Sequence, residues 1–406
     1  MNILNTLIAA SLVTCSLCAN SLLAAGIDIP TDVSQKAKPA TIKVLLGKQR
    51  EKVLLEAKGR FHIYNPLNEI LLTEGVSSKR HWLSSSDSGL KWGELLPGIF
   101  QIRLVPGDSQ SSLLVDGIEY RGCVEIYDIK GKLHIVNEVD IERYLKSIMT
   151  SQFPTEMDEE VMDSVAIAAR TNAYYLVSRK PDAYWHVEAQ EVGYQGYAVT
   201  LQNVHVDRAI NSTRHMVMTY EGATFPTAWT KDSAGKTADF ATIFRKNVQV
   251  PHGVASAFAE REREKHAWTF AISKQELAKA LGAAKVNAFD LYQDRKSQKV
   301  YAARLKSGEE LHQFDFTKLQ KALGSARLKS NDFTIETTGD KIVFKGFGEG
   351  TGVGLCLYSA NAMADKGDKA PKILASFFPD TKLENIRTFG KAKEMIADTN
   401  ASYDHQ

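Results

Sequence analysis

The stretch Val136–Tyr175 reads VNEVDIERYLKSIMTSQFPTEMDEEVMDSVAIAARTNAYY and decides how the surrounding chain folds. It begins as the end of a strand, and Ile141–Met149 follows as a short helical piece. After a polar loop, the spacing predicts a second helix from about Asp158 to Ser178. The apolar positions of this helix recur at helical intervals, namely Val161, Val165, Ala168, Ala169 and Ala173. Because this face is rich in alanine, another backbone can approach it closely, which predicts a buried helix.

Charged residues begin this second helix, and one interrupts its apolar face. Asp158, Glu159 and Glu160 lie in the first turn, where the helix dipole favours negative charge. Arg170 follows the alanines. A long cation among small apolar neighbours either extends to solvent or pairs with an acid.

The composition is that of a globular protein. The chain has 406 residues, of which 44% are hydrophobic and 24% are charged, and its net charge is +2. This length allows a large core or two domains. The near-neutral balance gives no electrostatic indication of nucleic-acid binding, so we expect no nucleic-acid partner.

The N-terminal segment differs from the rest of the chain. No Lys, Arg, Asp or Glu precedes Asp28, and Leu7–Ala25 is largely apolar and ends in small residues. Residues 1–25 are therefore predicted to be a secretory signal peptide cleaved near Ala25. The alternative is an uncleaved anchor, because Thr6–Ala25 is about long enough to span a bilayer. We expect export across the inner membrane to the periplasm or cell envelope, with membrane contact only through this segment if it stays uncleaved.

Cysteine and histidine positions bear on disulfide and metal chemistry. Cys123 and Cys356 are the cysteines that follow the predicted signal peptide. In an oxidising envelope they can pair; the alternative is two separately buried thiols, because nothing in the sequence brings them together. The histidines have no chelating spacing, so we expect no metal. His252 and His266 are interpreted as solvated loop residues rather than catalysts.

Strand signals dominate the first third of the chain. Residues 41–137 contain short β-branched or aromatic runs separated by Gly, Pro, Asn and Asp. Residues 26–40 and 76–90 are polar and are predicted to be loops. Further along, Lys274–Leu281 and Phe316–Leu323 are amphipathic and are predicted to be helices.

Several separated motifs occur in the order found in a known family. Tyr120–Met149 reads YRGCVEIYDIKGKLHIVNEVDIERYLKSIM, and Ala166–Thr171 reads AIAART. The later stretches are AINSTRHMVMTYEG (Ala209–Gly222), TKDSAGKTADF (Thr230–Phe240) and GFGEGTGVGLCLYSANAMADKG (Gly346–Gly367). This series resembles the domain shared by sporulation stage II protein D and the amidase enhancer LytB, the SpoIID/LytB family.

The resemblance covers roughly residues 41–390 and implies an α+β fold. That fold is rich in antiparallel sheet, with a buried Ala-rich helix and a Gly-rich loop at a groove. Together with the strand pattern, it predicts a β-rich part over residues 26–119, a SpoIID/LytB-like domain over residues 120–390 and a C-terminal tail over residues 391–406.

Family members are associated with lytic cleavage of peptidoglycan glycan strands or with stimulation of a cell-wall amidase. A lytic transglycosylase needs one carboxylic acid, which protonates the glycosidic oxygen and then acts as a base. In the family this acid is the Glu of a P-S-E-M-P loop.

Two alignments of this chain with that loop are open. Without gaps, Gln152 stands at the acid position, and Ser151 and Pro154 match. With an insertion and an equal deletion, Pro154–Met157 matches and Glu156 is the acid.

The resemblance also implies a groove for the glycan strand. It is expected where the loop at Gln152 meets two others, the Ser/Gly loop (residues 233–237) and the glycine-rich loop (residues 348–354). Arg170 is expected to be partly buried and to brace the loop at Gln152. The implied substrate-binding residues are Ser151, Arg170, Ser233, Gly235, Thr237, Gly350, Gly352 and Gly354.

Departures from the family pattern leave the activity open. The His of the family's glycine motif is Thr351 here, and the Ser-Gln pair after it is Cys356 and Leu357. We expect an exported, peptidoglycan-directed protein that acts in cell-wall remodelling or septation. It is a lytic transglycosylase using Glu156, a catalytically silent module that binds intact or peptide-denuded glycan strands, or an adaptor that activates a cell-wall amidase. None of these activities requires a cofactor, and we expect none.

Overall fold

The computed structural model describes residues 40–197 and 203–387. The predicted signal peptide over residues 1–25 and the predicted tail over residues 391–406 lie outside the described residues. Within the two described ranges, no helix is long and apolar enough to cross a membrane.

Strands outnumber helices along the described chain. The strands are β1 (Thr41–Arg50), β2 (Lys52–Lys58), β3 (Phe61–Tyr64), β4 (Leu71–Gly75), β5 (Lys79–Ser86), β6 (Gly89–Trp92), β7 (Glu94–Pro97), β8 (Gln101–Pro106), β9 (Ser112–Val115), β10 (Ile118–Tyr120), β11 (Cys123–Ile129), β12 (Lys132–Asp140), β13 (Val187–Glu188), β14 (Met216–Thr219), β15 (Trp229–Thr230), β16 (Ala267–Ser273), β17 (Ala288–Gln293), β18 (Val300–Ser307), β19 (Glu310–Asp315), β20 (Phe333–Thr338), β21 (Lys341–Phe347), β22 (Leu355–Cys356) and β23 (Lys382–Asn385). The helices are α1 (Ile141–Gln152), α2 (Glu159–Arg179), α3 (Ala189–Val192), α4 (Val204–Ser212), α5 (Phe240–Ile243), α6 (Ala257–Arg261), α7 (Lys274–Ala280), α8 (Phe316–Leu323), α9 (Leu357–Ala364) and α10 (Ala370–Phe377), with a 3₁₀ turn at Arg263–His266.

Two large sheets form the first half of the described chain. Sheet 1 has the strand order β13-β1-β12-β11-β8-β3-β4, and sheet 2 has the order β10-β9-β2-β5-β6-β7. All neighbours pair antiparallel except β1 and β13. Buried and less buried residues alternate along β2 and β8, as expected for strands with one face on a core. The sheets meet where the ring of Phe61 packs on Trp92, with centroids 5.4 Å apart.

The prediction that residues 76–90 form a loop is wrong. These residues contain β5 and the start of β6. The sequence of β5 is polar because Leu83 is the buried residue of the strand, whereas Trp82 is exposed. The strand forms because β5 lies between β2 and β6, which pair with it on its two edges. Sheet pairing overrides the weak intrinsic preference of this segment.

Helices α1 and α2 confirm the two helices predicted from the sequence. Asp140 caps α1 by accepting from the backbone N–H groups of Glu142 and Arg143. Asp158 caps α2 by accepting from the N–H of Glu160. Helix α2 is buried along its first two thirds and packs against α1, α4, α9, α10 and β14. This is the buried Ala-rich helix expected from the sequence, and its small side chains let these neighbours approach.

A short parallel ladder brings the two motif loops of the second half together. Trp229 and Thr230 of β15 lie opposite Leu355 and Cys356 of β22. The Ser/Gly loop follows β15 and the glycine-rich loop precedes β22, so the two loops lie side by side.

Residues 267–347 form an inserted unit with its own core. Two three-stranded sheets, β16-β21-β20 and β17-β18-β19, pack with α7 and α8. Trp268, Leu305, Phe316 and Phe344 are among the buried residues of this core. The predicted amphipathic helices are confirmed as α7 and α8. Because β16 and β21 pair with each other, the chain enters and leaves the unit at one place. The predominance of antiparallel pairing, together with the helices, confirms the predicted α+β class.

Candidate functional site

An open cleft of about 760 Å³ lies where the groove is expected from the sequence. One wall is formed by the Gln152 loop (residues 152–157), of which all residues except Glu156 line the cleft. The facing wall is lined by Trp229, Lys231, Asp232, residues 265–267, Lys329, Gly348, Glu349, Leu357, Tyr358 and Asn361. The lining combines aromatic rings, amides and charged side chains. The chain enters the inserted unit at residues 265–267 and leaves it before residues 348–349. Both connecting segments line the cleft, so the cleft lies beside the place where the unit is attached.

Gln152 and Phe153 shape the first wall. Helix α1 ends at Gln152, whose side-chain amide donates to the carbonyl of Val192 at 3.3 Å. The buried ring of Phe153 lies 6.1 Å from that of Trp229, which belongs to the facing wall. Ser151 does not line the cleft, and its hydroxyl donates to a carbonyl one turn earlier in α1. Gln152 thus offers an amide to the cleft, which can hydrogen-bond a sugar hydroxyl but cannot act as a carboxylic acid.

Glu156 lies in the same loop but does not line the cleft. Its side chain is 70% exposed, and one carboxylate oxygen lies 3.2 Å from Nδ1 of His205 at the start of α4. The structure therefore separates the two candidate acid positions. Gln152 borders the cleft, and Glu156 is solvated outside it.

Asp232 and His266 form a hydrogen-bonded pair on the facing wall. Nδ1 of His266 lies 2.5 Å from Oδ2 of Asp232, and the other oxygen, Oδ1, accepts from the N–H of Ala234 at 2.8 Å. The Asp232 side chain is 6% exposed, whereas His266 is 34% exposed and lines the cleft. The imidazole meets the ring of Tyr358 edge-on, with centroids 4.8 Å apart. The interpretation of His266 as a solvated or loop residue holds only in part: its side chain is partly exposed, but a buried carboxylate and an aromatic ring hold it in place.

Backbone hydrogen bonds fix the position of this pair. Asp232 and Glu349 exchange two N–H···O=C bonds of 2.9 and 3.0 Å, and the N–H of Gly348 donates to the carbonyl of His266 at 3.0 Å. Gly348 has a φ of +70°, and a Cβ there would come within 2.6 Å of the Asp232 carbonyl oxygen. Only glycine accommodates both constraints without strain. At the surface of the same wall, Lys231 and Glu349 form an ion pair of 2.8 Å.

Most of the predicted substrate-binding residues lie behind this wall. Ser233 is fully buried, and a Cβ on Gly352 would meet the side chains of Asn331 and Lys299 at 2.9 Å. Lys299 is 1% exposed, and its ammonium group donates to Asp332 at 2.7 Å and to the Ser233 carbonyl at 2.6 Å. The small residues of both loops therefore let the loops pack over a buried lysine. The other predicted residues that do not line the cleft are Gly235, Thr237, Gly350 and Gly354.

Arg170 is also fully buried and does not line the cleft. Its Nε and one terminal nitrogen each lie 2.8 Å from a carboxylate oxygen of Glu142. The other terminal nitrogen donates to the carbonyls of Thr213 at 2.9 Å and Met216 at 3.2 Å. These contacts tie the start of α1 to the end of α4 and the start of β14. Arg170 is thus more deeply buried than expected, and it braces α1, the helix that ends at Gln152, rather than touching the loop.

One family model matches this chain in the region that builds the first wall, and several known proteins match longer parts of it. A family model described as stage II sporulation protein, SpoIID, matches residues 129–220. An uncharacterized protein of Chlamydia pneumoniae is 36% identical over 179 residues, which cover 44% of this chain and 65% of that protein. The stage II sporulation protein D of Bacillus amyloliquefaciens is 23% identical over 276 residues, covering 63% of this chain and 77% of that protein. The amidase enhancer of Bacillus subtilis is 23% identical over 292 residues, covering 59% of this chain and 40% of that protein.

The SpoIID family model and the relatives named stage II sporulation protein D and amidase enhancer support the resemblance to the SpoIID/LytB family. The SpoIID match contains α1, the Gln152 loop and Arg170, but it ends before Asp232 and His266. The match to the chlamydial relative spans less than two thirds of that protein's length.

One group of buried side chains in the described residues has metal-ligand chemistry. Cys123, Glu125 and Glu138 offer atoms within 4.8 Å of one another. Lys43 pairs with Glu125 at 2.9 Å, and Arg103 pairs with Glu138 at 2.9 Å. Burial raises the pKa of the Cys123 thiol to about 12, so the thiol is protonated at neutral pH. Two cations already neutralise these acids, so the group fits a buried ion-pair network better than a metal site. Both cysteines in the described residues are free and buried, as one of the two alternatives held.

Asp232 and His266 are the site candidates that sequence reasoning missed. They are 34 positions apart, and no motif spacing connects them. The residues of this loop that the resemblance implied are Ser233, Gly235 and Thr237, and Asp232 directly precedes them. The sequence contained only a weak indication of this pair, because Asp232 is a carboxylate that directly precedes a loop of small residues.

Proposed function

We propose that this protein binds peptidoglycan glycan strands in the cleft. The observation that carries the proposal is the composition of the lining, in which the rings of Phe153, Trp229 and Tyr358 accompany the amides of Gln152 and Asn361. Sugar rings have apolar faces that stack on aromatic side chains, and hydroxyls that hydrogen-bond with amides. Family relatives named stage II sporulation protein D and amidase enhancer support a role at the cell wall.

Peptidoglycan lies outside the cytoplasmic membrane, so the proposal requires export. The apolar residues 1–25 support it, because their pattern is that of a signal peptide. We expect the mature protein to begin near Gly26 and to fractionate with the periplasm or envelope. N-terminal sequencing of the fractionated protein checks this, and a full-length cytoplasmic product would contradict it.

The positions of Gln152 and Glu156 favour glycan binding over cleavage by Glu156. A general acid must reach the scissile oxygen within hydrogen-bond distance. Glu156 is solvated outside the cleft, whereas the group at its rim is the amide of Gln152. The third hypothesis, an adaptor for a cell-wall amidase, is supported by the name of one relative and by no feature of the cleft.

Co-sedimentation with purified peptidoglycan sacculi tests the proposal. Trp229→Ala removes an aromatic surface from the cleft, and we expect at least a tenfold rise in the apparent Kd, which corresponds to about 1.4 kcal/mol. Trp185→Ala is the matched control, because Trp185 packs on His134 and does not line the cleft. Melting curves of both variants show whether they are folded. If both folded variants pellet as the wild type does, the cleft is not the binding site.

A further inference from the structure

We infer that His266, oriented by Asp232, is the proton-transferring group of the cleft and that the protein uses it to cleave the glycan strand it binds. The inference rests on the proposed function, because it requires a glycan strand in the cleft. It replaces Glu156 as the acid with a residue that the structure places at the cleft.

The hydrogen bond to Asp232 determines which nitrogen of His266 can act. A carboxylate only accepts hydrogen bonds, so Nδ1 of His266 carries a proton and donates it to Asp232. The second ring nitrogen, Nε2, remains for proton exchange, because the His266 ring is 34% exposed and lines the cleft. In the neutral ring Nε2 accepts a proton, and in the charged ring it donates one. Asp232 is itself held by Ala234 and by the backbone bonds to Glu349, so the ring orientation is fixed.

Other polar groups of the cleft are less suited to proton transfer. Gln152 has no acidic proton. The Glu349 carboxylate pairs with Lys231 at the surface. The ammonium group of Lys265 donates to a neighbouring glutamate, and this hydrogen bond raises its pKa, so it holds its proton more tightly. His266 differs from these groups because a buried carboxylate orients it while one ring nitrogen stays available.

One such group is sufficient when the substrate supplies its own nucleophile. The Nε2–H of charged His266 gives its proton to the glycosidic oxygen while the bond from that oxygen to the anomeric carbon breaks. The bonding pair stays on the departing oxygen, which becomes a hydroxyl. The C6 hydroxyl of the same sugar then bonds to the anomeric carbon, and its proton returns to Nε2. The product has an internal anhydro ring, the imidazolium is restored, and neither water nor a co-reactant is consumed.

The experiment uses the mature protein with purified peptidoglycan sacculi. Anhydro-ended products are quantified by mass spectrometry, and binding is measured in parallel by co-sedimentation. We expect His266→Ala to slow product formation by about 10²–10⁴-fold, the usual contribution of a general acid–base group. Binding should change by less than about threefold, which is below 1 kcal/mol. Added imidazole should restore part of the activity, because it supplies the missing ring.

Two further variants separate proton transfer from structural support. Asp232→Asn keeps the size of the side chain but removes the charge that fixes the His266 tautomer, so product formation should fall while binding is kept. His252→Ala is the matched control, since His252 also contacts an aspartate, Asp239, at 3.3 Å, but is 72% exposed and outside the cleft. It should be as active as the wild type. If His266→Ala does not fold, His266→Gln provides the same test with a donor retained towards Asp232.

The outcomes separate this inference from the proposed function. Wild-type protein that binds sacculi but yields no anhydro ends overturns the inference and leaves the proposed function standing. An active wild type with an equally active His266 variant overturns it as well. Parallel loss of binding and activity in the folded His266 variant would make His266 a binding residue only, which also overturns it. No binding by the wild type contradicts the proposed function itself.

Discussion

The two faces of the wall built by the Ser/Gly and glycine-rich loops differ in chemistry. On the cleft face, His266 and Glu349 present titratable or charged groups to solvent, and the buried Asp232 carboxylate lies directly behind His266. On the inner face, Ser233 and Lys299 are sealed, and the buried ammonium group holds the loop through a backbone carbonyl. Most of the motif residues of these two loops do not line the cleft, namely Ser233, Gly235, Thr237, Gly350, Gly352 and Gly354.

This difference indicates that the motif residues act mainly in packing. Glycine and serine let two backbones pass within a few ångströms of each other, and this contact positions their neighbours. Apart from Gly348, it is the neighbours of these motif residues that line the cleft, such as Asp232 and Glu349. Variants on the inner face should therefore change the stability of the fold, and variants on the cleft face should change binding or activity.

The largest effect is expected for Lys299→Met. Burial lowers the pKa of Lys299 although Asp332 pairs with it. Removing the charge leaves Asp332 with Arg263 alone, and breaking a buried pair costs about 3–5 kcal/mol of unfolding free energy. Lys231→Met is the matched control on the cleft face, where a largely exposed ion pair contributes about 1 kcal/mol or less. Denaturant unfolding measures both, and equal losses would remove the distinction between the faces.

Gly348 lies at the boundary between the two faces, and Gly348→Ala should lower the free energy of unfolding by less than Lys299→Met does. The new Cβ would combine positive φ with a 2.6 Å approach to the Asp232 carbonyl oxygen, and we expect a loss of about 2–3 kcal/mol. Gly282→Ala is the control, because Gly282 has a φ of +69° and open space around it. It should cost about 1 kcal/mol. Equal unfolding free energies for the two variants would show that the close approach is unimportant.

The smallest effect is expected for Glu156→Gln. Glu156 is solvated and pairs with His205 outside the cleft, so binding to sacculi and any anhydro-product formation should stay within about twofold of wild type. Loss of product with binding retained would instead make Glu156 the acid, and the alignment with an insertion and a deletion would be the right one.

Local signals made much of the scaffold predictable. The spacing of Val161, Val165 and the alanines, with acidic residues at its start, predicted α2 closely, because helix signals lie within one segment. Strand β5 was missed because its partners, not its own residues, decide that it is a strand. The pairing of Asp232 with His266 was missed for the same reason, since residues 34 positions apart meet only in the folded chain. Motif matching located loops that border the cleft, and most of the residues that it singled out there do not line the cleft.

Hydrogen–deuterium exchange with and without solubilised glycan strands tests the central claim most directly. We expect the strand to slow exchange at residues 152–157, 229–232, 265–267 and 348–349, the segments that line the cleft. Exchange in α4, which carries His205 beside Glu156, should be unchanged. Protection confined to α4, or no protection at the four cleft segments despite binding, would contradict the assignment of the cleft as the glycan site.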